Sequence, residues 1–165
     1  MRNLVSAALF GLVALGTALA LAPSAQAIDV KKQITVPASA AKAWAAVQDF
    51  CSLPDWHPAV VGCTLGEMGG LKKRELTLGN DAKIVEVENF HSDKTMTIIY
   101  SIVDSPLPLV QYVSTITVTP AGEGMATIGW NGRFAAPDGK DKEARDLIDG
   151  FYEAGLQTLA KKLNM

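Results

Sequence analysis

The chain is poor in the residues that most often carry metal or covalent chemistry. Of 165 residues, two are histidine and two are cysteine, and aromatic residues make up 7%. No Cys-x-x-Cys pair, no His-Glu-x-x-His helix and no clustered Cys/His set occurs, so no zinc site or thiol-exchange motif is recognisable. His57 and His91 stand too far apart in sequence to suggest a metal pair. No Gly-x-Gly-x-x-Gly turn, phosphate-loop lysine or Gly-x-Ser-x-Gly elbow is present, which leaves no nucleotide loop and no serine nucleophile. No cofactor or metal is expected. Positive charge is not in surplus either: 15 Lys and Arg stand against 17 Asp and Glu. Nucleic acid is therefore excluded as an expected partner, because a phosphate backbone demands clustered cations.

Long apolar runs are equally scarce, and the single one lies at the start. Residues 4–22, LVSAALFGLVALGTALALA, carry no charge and follow Arg2. Pro23-Ser24 and Ala25-Gln26-Ala27 then supply a small-x-small ending. This pattern reads as a secretory signal peptide, residues 1–27, cleaved after Ala27. The alternative is an N-terminal anchor, since the run could just cross a bilayer. No cysteine follows it to take a lipid, and no second stretch is long enough to span. The expectation is a periplasmic or otherwise secreted protein without a permanent membrane anchor. Its mature chain, 28–165, suits one domain. Loss of Arg2 takes the formal charge from −2 to −3.

Export bears on Cys51 and Cys63. Outside the cytoplasm a disulfide persists, and closing a loop of this length stabilises a fold by about 3 kcal/mol in the chain-entropy model. Two separate buried thiols are the alternative.

Along the mature chain, Val30, Lys32, Ile34 and Val36 share one parity of a strand over 29–36, which Pro37 stops. Ser39 can cap a helix running to Asp49 or Phe50. Its apolar side is Ala40, Ala43, Trp44 and Val47, which makes Trp44 a core residue. After the bend Pro54-Asp55-Trp56-His57-Pro58, strands are expected near 60–67, 71–79, 82–89, 94–104, 109–119 and 124–134. Gly69-Gly70, Gly79-Asn80-Asp81 and Gly122-Glu123-Gly124 are turn signals between them. Residues 141–163 then alternate polar and apolar at helical spacing, with Leu147, Ile148, Phe151, Tyr152, Gly155, Leu156 and Leu159 on the apolar stripe and Asp138 or Asp141 as cap. A curved antiparallel sheet of about seven strands wrapped around this helix satisfies both apolar faces.

Several words in their order carry a resemblance: Val47-Gln48-Asp49-Phe50, Trp56-His57-Pro58, Arg74-Glu75-Leu76 with Gly79, Glu86, Asp93, Tyr100-Ser101-Ile102, Ser105-Pro106-Leu107-Pro108-Leu109, Tyr112 with Ser114-Thr115, Trp130 and Phe134. Nearly the whole mature chain resembles the START-like, birch-pollen-allergen-like superfamily in its polyketide cyclase/dehydrase-like branch. The exported MxaD-like subgroup is most similar. The resemblance implies an α+β helix-grip fold with short helices after the first strand and a cavity between sheet and terminal helix. It also implies a small hydrophobic or amphipathic ligand, and an exported dehydrogenase or cytochrome as partner, in a methanol-oxidising system.

Candidate site residues follow from chemistry and position. Trp130, Gly132 and Phe134 share one strand face, with Gly132 opening space between two rings; Tyr112, Ser114 and Ile116 share another, and Tyr100 alternates inward on its own strand. Such a lining gives an apolar pocket with a few polar handles; the alternative is that the rings simply pack the helix. Trp56, Arg74, Glu86, Phe151 and Gly155 complete the ligand-binding set. Gly155 marks either close backbone contact or cavity shape. Catalytic candidates are Glu86, Arg74, His57 and Tyr112. Arg74 and Glu86 fall on adjacent strands and form either an inward pair or a solvated one. For His57 the favoured role is structural, with Trp56 plugging one end of the core and the imidazole bonding a loop backbone. Three functions stay open: a non-enzymatic binding or accessory protein, which leads; a cyclase, dehydratase or isomerase; and an interaction module with a closed core.

Overall fold

The computed structural model describes residues 27–165; residues 1–26, which carry the expected leader, lie outside the described residues. Strand β1 (Ile28–Val36) leads into α1 (Ala40–Val47) and α2 (Leu53–Trp56). Six strands follow: β2 (Val60–Met68), β3 (Leu71–Leu78), β4 (Lys83–Ser92), β5 (Thr97–Asp104), β6 (Val110–Pro120) and β7 (Ala126–Ala135). The chain closes with α3 (Asp141–Leu163). All neighbouring strands are antiparallel, in the order β1-β7-β6-β5-β4-β3-β2. This is the expected helix-grip arrangement, a curved seven-stranded sheet around one long helix.

The alternation read in β1 holds. Val30 and Val36 are buried, and Lys32, in the same register, reaches Asp149 and Glu153 of α3 at 2.9 and 3.3 Å. Ser39 caps α1, its hydroxyl accepting from the Lys42 amide at 3.2 Å. At α3 the cap is Lys140, without a side-chain capping bond. Asp141 instead opens the first turn, where its charge complements the helix dipole. The segment read as a plain bend contains α2, with Pro54 in its first turn, where its missing amide costs nothing. Met96, expected in the register of β5, sits in the preceding turn with φ +48°.

Trp44 is buried on α1 and donates to Asp93 Oδ1 at 2.9 Å, tying that helix to the β4–β5 turn. Cys51 and Cys63 form a disulfide with Cα atoms 5.6 Å apart, joining the α1–α2 segment to edge strand β2. The core fills the concave side of the sheet against α3, which contributes Ala144, Ile148, Tyr152, Leu156, Leu159 and Leu163. Among the described residues, no helix is long and apolar enough to cross a membrane.

Candidate functional site

Cross-strand register brings the site together. One row of directly paired residues runs Gly132, Ser114, Tyr100 and Glu88 through β7, β6, β5 and β4. Gly132 leaves a gap in that row, and α3 fills it: a Cβ there would stand 3.2 Å from Cζ of Tyr152. The space that the sequence assigned to a ligand therefore holds the tip of Tyr152.

Five polar-tipped side chains, that of Tyr152 included, form one network there. Trp130 Nε1 donates to the Tyr100 hydroxyl at 2.8 Å and to Ser114 Oγ at 3.1 Å. Ser114 Oγ lies 2.8 Å from the Tyr152 hydroxyl and donates to the Asn131 carbonyl at 2.9 Å. Tyr112 and Tyr152 share a hydroxyl–hydroxyl bond. The Trp130 and Tyr152 rings stack with centroids 4.3 Å apart. Buried hydroxyls cost free energy unless bonded, so the network makes an aromatic core tolerable. Burial pushes the Tyr100 phenol up to about 12 and those of Tyr112 and Tyr152 well above the usual range. All three are neutral.

Arg74 and Glu86 are partners in the β3–β4 register and point inward. Their Nε–Oε2 distance is 2.6 Å, and both are under 5% exposed. Arg74 also donates from Nη1 to the Phe50 carbonyl at 2.5 Å. Its guanidinium lies between the Phe50 and Tyr100 rings, 4.1 and 4.7 Å from their centroids. Nη2 is buried without a partner among the described residues. Burial raises the Glu86 carboxyl above its ordinary range, against the pull of Arg74.

Between these groups and α3 lies a small apolar cavity. Leu53, Leu76, Ile84, Ile102, Leu107, Leu147 and Ile148 line it with the expected residues Glu86, Tyr100, Tyr112, Trp130 and Phe151. Its volume, about 20 Å³, has room for roughly one water-sized group. Leu107, Leu147 and Phe151 are half-buried and form its outer side, between the β5–β6 loop and α3. Trp56, Arg74, Ser114, Phe134 and Gly155 do not line it. Phe134 stacks on Tyr112 from behind, with centroids 5.8 Å apart. Tyr152 and the half-buried leucines were not among the candidates. A tyrosine inside an apolar helical stripe was the available sign, because its hydroxyl must find a partner.

His57 lies on the far side of Trp130 and bonds backbone at both nitrogens. The Ala59 amide donates to Nδ1 at 3.1 Å, which makes Nδ1 the bare nitrogen. Nε2 therefore carries the proton and donates to the Phe151 carbonyl at 2.9 Å. The ring stacks on Phe151 with centroids 3.7 Å apart. Burial lowers its pKa to about 4. Trp56 packs edge-on against Trp130 at 5.5 Å and donates to Ser52 Oγ at 3.2 Å. The pair forms a plug behind the cavity, and Asp55 makes no bond to the imidazole among the described contacts. Gly155 marks close contact: a Cβ there would lie 2.5 Å from His57 Cδ2 and 2.9 Å from Trp130 Cζ3. His91 bridges Glu88 and Asp93, each at 3.3 Å. Among the described residues, no group of three or more potential metal ligands converges.

The comparisons accord with this geometry. The protein XoxI of Bacillus cereus is 31% identical, with a TM-score of 0.77, the match covering 82% of this chain and 94% of that one. The Zhui aromatase/cyclase of Streptomyces shares the fold at 17% identity and TM-score 0.68, over 83% of this chain and 93% of that one. A START superfamily protein of Mycobacterium smegmatis does so at 16% and 0.69, over 82% and 96%. No curated protein matched the sequence. A family model described as polyketide cyclase / dehydrase and lipid transport matches residues 27–164. With that span matched, and with the helix-grip architecture beneath it, the chain belongs to the polyketide cyclase / dehydrase and lipid transport family.

Proposed function

We propose that the protein binds a small apolar or amphipathic molecule between its sheet and α3, without transforming it. One observation carries this reading: an apolar cavity at the sheet–helix seam has three polar groups, Glu86, Tyr100 and Tyr112, in its wall. The family description, which includes lipid transport, and the START-like fold support it. At about 20 Å³ the cavity accommodates a ligand only when its outer wall gives way. Leu107, Leu147 and Phe151 are the side chains to move; they are half-buried, and Leu107 lies on a loop.

The catalytic alternative draws on Glu86, Arg74, His57 and Tyr112. Acid/base chemistry by two carboxylates would need a second one at the cavity, and Glu86 is the one carboxylate in the lining. His57 is turned to backbone at both nitrogens. Both observations favour binding. The finer reading is an exported accessory protein to an alcohol dehydrogenase or its cytochrome. It rests on the leader-like N-terminus and the MxaD-like resemblance.

The test is mass spectrometry of protein purified from the exported fraction of its own cells, under native and then denaturing conditions. A retained small molecule, lost on denaturation and reduced in a Trp130→Ala variant, is the expected result. Unliganded protein, together with no uptake of apolar probes such as naphthalene, would rule the reading out. Absence of the protein from the exported fraction would remove the accessory role alone.

A further inference from the structure

We propose that the cavity selects neutral molecules bearing a hydroxyl group, an alcohol, phenol or enol, whose oxygen sits among Tyr100, Tyr112 and Glu86. The inference rests on the binding reading above and deepens it. It follows from the direction in which the buried hydrogen bonds must run.

Each hydroxyl has one proton to give. Ser114 gives its proton to the Asn131 carbonyl, which can only accept. The Tyr152 hydroxyl, 2.8 Å from Ser114 Oγ, must therefore donate to it. Tyr112, bonded to Tyr152, must in turn donate to Tyr152. One backbone carbonyl on β7 thus fixes the whole chain, and Tyr112, which lines the cavity, has only lone pairs left to offer. Tyr100 is the reverse case. Its oxygen accepts from Trp130 Nε1 at 2.8 Å; the neighbouring Ser114 Oγ already takes Trp130 and Tyr152 on its two lone pairs, so the Tyr100 proton is left for the cavity. Glu86 commits Oε2 to Arg74 and has no donor on Oε1 among the described residues. The polar wall therefore offers one donor, Tyr100, and two acceptors, Tyr112 and Glu86.

A hydroxyl matches this set, because it accepts from Tyr100 and donates to Tyr112 or Glu86. An ether or ketone satisfies Tyr100 but turns lone pairs towards the two acceptors. An ammonium group leaves Tyr100 without a partner. A carboxylate also brings a charge into a wall where the charges of Arg74 and Glu86 already pair, and an uncompensated buried charge is costly. The unpartnered Arg74 Nη2 does not change the count, since the Phe50 and Tyr100 rings cover the guanidinium faces and Arg74 is not in the cavity lining.

The experiment measures binding of four probes of one shape to the purified protein by titration calorimetry: 2-naphthol, 2-methoxynaphthalene, naphthalene and 2-naphthoate. Naphthol is expected to bind about tenfold tighter than the methoxy compound, the value of one net hydrogen bond, and naphthalene and naphthoate weaker still. Tyr100→Phe should weaken naphthol and the methoxy compound about tenfold and leave naphthalene unchanged. Ser114→Ala gives a readout that a merely structural role would not move. Without its acceptor, Tyr152 turns to donate to Tyr112, and Tyr112 then donates into the cavity. The preference for naphthol over the methoxy compound should shrink, because Glu86 is then the one acceptor left in the lining, whereas simple loosening would weaken all four probes together. If Ser114→Ala does not fold, the Tyr100→Phe comparison carries the test. Equal affinity for naphthol, its methyl ether and naphthalene overturns the hydroxyl proposal and leaves apolar binding intact. Tightest binding of naphthoate overturns it too. Failure of every probe to bind overturns the binding reading itself.

Discussion

The imidazole of His57 occupies the place that a side chain at Gly155 would fill: a Cβ on residue 155 would stand 2.5 Å from Cδ2 of the ring. In an isolated helix, alanine is better than glycine by about 1 kcal/mol. Here the neighbours are a ring held by two backbone bonds and the indole of Trp130, and neither is a flexible side-chain end. Gly155→Ala is therefore expected to destabilise by about 1–3 kcal/mol, the usual cost of overpacking. Urea unfolding measures it, and an unchanged or raised midpoint would show that α3 shifts freely.

His57 makes stability depend on pH. Its folded pKa is about 4 against an ordinary value of 6.5. The unfolded chain thus binds the proton more tightly, and stability falls with acid. The contribution is complete above about pH 6.5 and is lost as the pH drops towards 4. The difference corresponds to about 3 kcal/mol. Protonation would place a hydrogen on Nδ1 against the Ala59 amide. Urea midpoints of His57→Gln should vary less than those of the parent between pH 6.5 and 4. Parallel curves for the two proteins would contradict the assignment.

Breaking the Arg74–Glu86 pair should be far worse than removing both partners. Arg74→Met leaves a buried carboxyl without its cation, at a cost of about 3–5 kcal/mol. Arg74→Met with Glu86→Leu should recover most of that loss, because the desolvation of both charges is removed as well. Chemical denaturation of the two variants checks the order. Equal losses would mean that the pair's geometry contributes stability of its own.

The Cys51–Cys63 bond closes a short loop, with a sequence separation of 12. Replacing both residues by serine is expected to lower stability by about 3 kcal/mol. Phe50, whose carbonyl receives Arg74, directly precedes Cys51. Reduction should therefore also loosen the ion pair, detectable as faster amide exchange at Arg74 and Glu86. Slow exchange in the reduced protein would uncouple the two features.

Much of the fold was legible in the residues alone. Apolar positions at period two, interrupted by glycine pairs and Asn-Asp turns, placed the strands to within a few residues. The helical spacing over 141–163 placed α3 as observed. Edges were less clear, since a strand end depends on its partner: Met96 has the alternation of β5 but lies in a turn whose carbonyl receives the Val118 amide. The inward facing of Tyr100, Tyr112, Ser114 and Trp130 was legible from parity. That Tyr152 would meet them was not, because α3 and β7 approach through Gly132 only once the sheet curves.

By itself the sequence determined a leader-like N-terminus, the absence of nucleotide and zinc motifs, and the amphipathic patterns that oblige a sheet to grip a helix. Composition, motif spacing and periodicity decide these, and all three are local. Tertiary structure alone decided that Arg74 and Glu86 pair inside and that His57 is a neutral strut. It also decided that one serine–carbonyl bond orders the tyrosine hydroxyls and leaves a space of about 20 Å³ beside them. Those outcomes depend on distances between residues 12 to 94 positions apart in the chain, and no local pattern encodes a distance across a fold.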